Sequence, residues 1–380
     1  MMLRTFHTLA AAALLLAAPQ ASAEILIGAA APLSGSNAAL GEQLRRGAQM
    51  AVDDINATGG IRGERLAITF VDDGCDPRKA VEVATGFVGD KVKAVIGHYC
   101  SGASIPASKV YEKAGIVQIS PASTHPKLTD EGGWNVVRLV PRDDAQAVAA
   151  ADLVLAKFPG RKIAVVNDES PGFATLAQRF RARLQEKGVG VALGESFKAG
   201  TKDFAPLAQR LNQAGAGVVY LAGTHVESGL IASAVRAAGS SAQIVAGDSL
   251  VTEDFANQAK QAAEGTLMTF TYDPRKFPSA RPVIERMRAQ EQNAEGFTLY
   301  AYAAVQALAA AAEATGSTDS ARIAQWLRGG NRFDTTVGSI AFDARGDLKE
   351  PAVAWFKWIG GRYVEIDPGT LAPPVLDTTP

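Results

Sequence analysis

The sequence predicts an α/β protein built of two doubly wound, parallel-sheet lobes. Three observations carry this. Short apolar strands alternate with amphipathic helices from Glu24 onward, the pattern of parallel sheets covered on both faces. The alternation restarts near Lys162, which implies a second sheet. The chain has 380 residues, a length that suits two cores of about 150 residues each.

An export signal precedes the first strand. Arg4 gives a basic start, Leu9 to Ala18 is a short apolar run, and Ala21-Ser22-Ala23 is a small-residue cleavage site. The run is too short to span a bilayer. Residues 1–23 are therefore read as a signal peptide, with a mature chain of 357 residues beginning at Glu24. Export disfavours cytoplasmic ATP- or NAD-dependent chemistry. No later apolar run reaches the length of a membrane span.

The elements follow in order. Ile25 to Gly28 is an apolar strand. Leu40, Leu44, Ala48, Ala51, Val52 and Ile55 mark one face of a helix, which Gly59-Gly60 ends. Leu66 to Val71 is a strand, and Asp76-Pro77 starts the next helix as N-cap and first-turn proline. Ala94 to Ile96 and Ile116 to Ser120 are short strands with a helix between them. The join near Pro141-Arg142-Asp143-Asp144 reads as a hinge. Beyond it, Lys162 to Val166 is a strand and Phe173 to Lys187 a helix. Gly217 to Leu221 and Gln243 to Ala246 are strands, and Pro278 to Ala312 is largely helical. Ile340 to Phe342 and Val353 to Trp358 are strand-like, and the tail from Pro368 is loosely ordered.

Charge excludes some partners. Lys and Arg number 38 and Asp and Glu 39; without Arg4 the mature balance is −2. No like-charge run points to nucleic acid or an anionic membrane. Cys75 and Cys100 are the two cysteines. In an oxidising compartment they suit a disulfide contributing about 3 kcal/mol; two buried thiols are the alternative.

The motifs of catalysis are missing. There is no H-E-x-x-H, no Cys/His cluster with metal spacing, no G-x-S-x-G and no phosphate loop. His7, His98, His125 and His225 stand apart. Gly188-Val189-Gly190 lies in a strand-like stretch and does not open a helix, so it is no dinucleotide fingerprint. No catalytic, metal or cofactor residues are assigned.

Three polar turns instead suit a small ligand, because parallel sheets bind ligands beyond the carboxyl ends of their strands. Ser120 to Thr124 offers hydroxyls and free N–H groups to a carboxylate. Tyr99 to Gly102 is a second such turn. Gly247-Asp248-Ser249 offers one carboxylate to an ammonium. Each also reads as a capped turn or helix start.

Seven stretches resemble the periplasmic leucine/isoleucine/valine-binding proteins. They are Asp54 to Gly63, Asp72 to Pro77, Ile96 to Ser101, Ser120 to Thr124, Lys202 to Phe204, Arg236 to Gly239 and Gly346 to Lys349. They run in family order along essentially the whole mature chain. The resemblance implies a venus-flytrap fold serving an ABC importer in the periplasm, a monomer whose partners are a small ligand and the permease subunits. It implies crossings near Arg142, Thr271 and Leu348. One lobe would then be 24–142 plus 271–348, the other 143–270 plus 349–380. It places Ser101 and Thr124 on the ligand carboxylate, helped by Ala122 and Ser123. It places Asp248 and the backbone near Tyr99 and Cys100 on the ammonium. Cys75 and Cys100 match the family's disulfide pair.

The other end of the pocket departs from the family. Leu40, Gly172 and Thr224 stand where leucine-binding members carry tyrosines, with Phe173 placed to fill part of the gap. Asp248 replaces a glutamate. The expected ligand is thus an amino acid, branched-chain or related. A non-amino-acid carboxylate or amide, and a sensor role, are the competing readings; an exported hydrolase is the enzyme alternative.

Overall fold

The computed structural model describes residues 24–371. Residues 1–23, the expected signal peptide, and the last nine residues of the tail lie outside them. The first sheet collects β1 (Glu24–Ala31), β2 (Arg65–Asp72), β3 (Ala94–Gly97), β4 (Val117–Ser120) and β5 (Val136–Arg138). They pair in the order β2-β1-β3-β4-β5, all parallel. Its helices are α1 (Ala38–Ala57), α2 (Pro77–Gly89), α3 (Ser101–Ala114) and the short α4 (Lys127–Asp130).

The second sheet begins after α5 (Asp143–Lys157). It takes β6 (Ile163–Asp168), β7 (Leu193–Phe197), β8 (Val218–Ala222), β9 (Gln243–Ala246) and β10 (Leu267–Phe270). Between them stand α6 (Pro171–Glu186), α7 (Ala205–Gln213), α8 (His225–Ala237) and α9 (Glu253–Ala259). The chain then returns to the first sheet as α10 (Arg281–Ala289), α11 (Thr298–Thr315) and α12 (Ser320–Arg328), with α11 on α1 and α12 beside β4 and β5. A small ribbon of β11 (Phe333–Thr335) and β12 (Gly338–Ile340) follows. Finally β13 (Ala354–Ile359) and β14 (Arg362–Ile366) complete the second sheet, in the order β14-β13-β10-β9-β8-β6-β7.

Local chemistry explains the element ends. Asp76 Oδ1 accepts the N–H groups of Arg78 and Lys79 at 2.8 and 2.9 Å, and Pro77 sets the first turn of α2. Gly59 and Gly60 follow α1 with φ of 106° and 78°, a turn that glycine adopts without strain. Cys75 and Cys100 form a disulfide with their Cα atoms 5.4 Å apart. It ties the loop before α2 to the start of α3.

Four local expectations need correction. The second sheet is not wholly parallel, because β13 and β14 run antiparallel to β10 and to each other. Their two-residue turn, Gly360-Gly361, has φ of 57° and 78°, as a twisted hairpin requires. Gly188-Val189-Gly190 is a turn leaving α6, not a strand, with Gly188 at φ 74°. The helical stretch after Pro278 is broken between α10 and α11. Pro368 to Thr370 is an ordered 3-10 turn, which Lys157 Nζ holds through the Gly369 carbonyl at 3.1 Å.

The α1–α11 contact has no slack. A Cβ added at Gly47 would lie 1.9 Å from the Thr298 carbonyl oxygen. Overpacking of a fitted core costs about 1–3 kcal/mol. Gly47→Val is therefore expected to lower the melting temperature clearly in a thermal scan. An unchanged melting temperature would show that the helices can move apart freely.

Candidate ligand cleft

The turns after β3 and β4 are welded together. The His98 carbonyl accepts hydroxyl hydrogen bonds from Ser104 at 3.0 Å, Ser120 at 3.3 Å and Ser123 at 3.1 Å. Ser123 is fully buried, and its hydroxyl also lies 3.0 Å from the Tyr99 carbonyl. That hydroxyl is committed to the scaffold, as are the Ser123 N–H, which donates to Ser120 Oγ at 3.0 Å, and the Ser123 carbonyl, which accepts from Arg138. His98 itself is fully buried, between Asp73 at 2.7 Å and the Tyr111 hydroxyl at 2.9 Å.

Ser101 opens α3. Its Oγ accepts the N–H groups of Thr124 and His125 at 3.1 and 3.2 Å, which leaves its own O–H proton to donate. The backbone N–H groups of Ser101 and Gly102 form no hydrogen bond within the described residues. An N-terminal helix turn with open N–H groups suits an anion. Ala122 is buried between these turns, and the Cys100 sulfur is held in the disulfide.

Arg138 braces this turn from behind. It is fully buried, its Nη1 donates to the carbonyls of Ser123 and His125 at 3.2 and 2.9 Å, and its Nε donates to Asp347 at 2.6 Å. Asp347 belongs to the Gly346-Asp347-Leu348 stretch far along the sequence.

Two carboxyls face the turn. Asp248, just after β9, accepts from Gln146 Nε2 at 2.9 Å and has no cation partner among the described residues. Burial pushes its pKa up to about 6, and the Gln146 bond opposes that rise. Asp143 opens α5 and is buried, with its N–H donating to the Thr124 carbonyl at 2.9 Å. Burial raises its pKa to about 7, nearby Asp248 adds to the rise, and a Thr124 hydrogen bond opposes it. Burial raises the pKa of Tyr99 and Tyr220, and the charge of Asp248 adds to it in Tyr99, as do those of Asp143 and then Asp248 in Tyr220. Tyr220 stacks on Phe180 with ring centroids 3.8 Å apart, and its hydroxyl has no hydrogen-bond partner among the described residues.

The structure thus brings together Tyr99, Ser101, Ala122, Ser123 and Thr124, and α5 links Thr124 to Asp248 through Asp143 and Gln146. Among the described residues, no hydrogen bond joins Phe173 or Thr224 to them. Phe173 packs half-buried on the core between α5 and α6. Thr224 caps α8, and its hydroxyl donates to Glu227. Leu40 is buried in the core at the start of α1.

Sequence reasoning missed Asp143, Gln146, Tyr220 and Gln43. Gln43 accepts from the Phe297 N–H at 3.0 Å and the Tyr99 hydroxyl at 3.3 Å, and donates to the Val251 carbonyl at 3.1 Å. It links the Tyr99 turn to the turn carrying Asp248. Nothing in the spacing of a helical glutamine signals this; only the hinge reading at Asp143 pointed near the place. A separate cavity of about 450 Å³ runs between α4 and α6, where His125 Nε2 meets Thr175 Oγ1 at 3.2 Å. Much of its lining is exposed and charged, unlike the cleft above.

Residues 24–361 match the family model described as "Periplasmic binding protein". The chain belongs to that family. It is 41% identical over 356 residues to a Leu/Ile/Val-binding protein homolog of Brucella melitensis, covering 94% of this chain and 96% of that one. It is also 41% identical to an amino acid binding protein of Pseudomonas aeruginosa, over 91% of this chain and 93% of that one. Among solved structures, it resembles the branched-chain amino acid transporter substrate binding protein LivJ of Streptococcus pneumoniae, in complex with isoleucine. The TM-score is 0.82 at 27% identity, with 90% of this chain and all of the other covered. No helix of the described residues is long and apolar enough to cross a membrane.

Proposed function

We propose that this chain is the periplasmic solute-binding component of an ABC importer, binding a zwitterionic amino acid and delivering it to a membrane permease. The observation that carries the reading is Asp248, a half-buried carboxylate without a cation, set close to a turn rich in hydroxyls and open N–H groups. Ser101, Thr124 and the backbone at Ala122 hold the carboxylate, and Ser123 holds the turn in shape. Asp248 and the backbone near Tyr99 hold the ammonium. The two lobes, 24–142 plus 271–348 and 143–270 plus 349–380, close about the crossings near Arg142, Thr271 and Leu348. Closure excludes water and strengthens both charged contacts. The protein binds without reacting, acts as a monomer, and reaches the periplasm after cleavage behind Ala23.

Leu40, Gly172 and Thr224 depart from the leucine-binding pattern, so the side-chain end of the pocket is shaped differently from that of the leucine-binding proteins. An amino acid is therefore the ligand class, with isoleucine and its neighbours the first to try.

Calorimetric titration tests the reading. The protein from Glu24 onward is unfolded and refolded to strip carried-over ligand, then titrated with the standard amino acids and their deaminated analogues. An amino acid is expected to bind while its deaminated analogue stays silent. Equal binding of both would remove the ammonium site and favour a carboxylate ligand.

A further inference from the structure

Asp248 does not stand alone on its side of the cleft. Gln146 lies on α5 and is 1% exposed. Its Nε2 donates to Asp248 Oδ2 at 2.9 Å, and its Oε1 accepts from the Thr269 hydroxyl of β10 at 3.0 Å. The amide orientation is set by chemistry. A carboxylate only accepts, so the NH2 must face Asp248 and the oxygen must face the hydroxyl. Thr269 is fully buried, so the pair is held on both sides by packed elements.

We propose that Gln146 is the positioning residue of the cation site, fixing Asp248 in orientation and charge through a Thr269–Gln146–Asp248 chain of hydrogen bonds. The proposal rests on the amino acid reading above. Its physical basis is a competition. Burial favours the protonated form of Asp248, which cannot pair with an ammonium. The groups that face it do not offset this. Asp143 on α5 is another carboxyl, and the hydroxyls of Tyr99, after β3, and Tyr220, on β8, are neutral. Gln146 is the side chain that opposes burial at Asp248. The bond at Oδ2 fixes the plane of the carboxylate, and so the direction from which an ammonium meets it. The sequence shows none of this, because Gln146, Asp248 and Thr269 come from three separate elements.

The test follows the Asp248 carboxyl by carbon-13 NMR in the ligand-free protein from Glu24 onward, across pH 4 to 8. A hydrogen bond to a charged acceptor is worth about 1.5–3 kcal/mol, or about one to two pH units. In Gln146→Leu, Asp248 is expected to titrate higher by about one unit or more, and amino acid affinity at pH 7 to fall about tenfold. Thr269→Val, which leaves Gln146 present but free to turn, is expected to shift the titration the same way by less. This second variant keeps the test valid if Gln146→Leu folds poorly. Titration of Asp248 at an unchanged pH in both variants would overturn the proposal. The NMR arm needs no ligand. The shift seen without amino acid binding to the unmutated protein would overturn the ligand reading and leave the role of Gln146 standing.

Discussion

Asp248→Asn is expected to abolish amino acid binding while raising the melting temperature of the ligand-free protein at pH 7. Losing one member of a desolvated charge pair costs about 3–5 kcal/mol, so affinity should fall at least about 100-fold by calorimetry. Stability moves the other way for a reason visible in the titration. The folded pKa, about 6, lies above the ordinary aspartate value. A group raised in this way favours folding most below its unfolded pKa, and that contribution is lost as pH rises through the folded pKa. At pH 7 the ionised Asp248 therefore opposes folding, and a neutral isostere removes the opposition. Asp143 adds to the same trend, with its pKa near 7. The site trades stability for function. Binding has the opposite dependence on pH. The ammonium needs the charged carboxylate, so affinity in the unmutated protein should fall as pH drops through about 6. A pH-independent affinity between 5 and 8, or an Asn variant that binds normally, would refute the assignment of Asp248.

Arg138→Met should be the most damaging single change to the scaffold. The guanidinium is fully buried and ties the Ser123 and His125 carbonyls to Asp347. Removing it leaves Asp347 with Arg142 at 3.3 Å and the exposed Arg345 at 3.9 Å as its cations, and frees the Ser123, His125 and Pro126 carbonyls. Breaking a buried pair from one side costs about 3–5 kcal/mol. Denaturant unfolding should report a loss of that order. Binding should weaken as well, because the turn bearing Thr124 loses its support. Stability within about 0.5 kcal/mol of the unmutated protein would mean that the surface-like estimate for ion pairs applies even here.

Much of the fold was legible because its signals are local. Asp76-Pro77 starts a helix through its own backbone geometry, and Gly59-Gly60 ends one the same way. The β13–β14 hairpin was equally local, and its Gly360-Gly361 turn went unread beside the stronger apolar signal of Val353 to Trp358. The polar turns of the cleft were also legible, since hydroxyls gathered after apolar strands have few uses in a core. What those hydroxyls do was less so. Ser123 and Ser101 look alike in the sequence, yet Ser123 is locked to the His98 and Tyr99 carbonyls and Ser101 keeps its proton.

The sequence by itself determined the alternation of strand and helix, the two sheets, the cysteine pair and the polar turns that follow the strands. These depend on residue type, period and order, all of which a linear chain records. Only the tertiary structure decided that Gln146 and Thr269 stand behind Asp248, that Arg138 and Asp347 brace the turn from Ser123 to His125, and that Thr224 turns to Glu227. Those pairings join residues up to 209 positions apart. They arise when sheets and helices pack and every buried polar group must find a partner, a condition that no local stretch of the chain can express.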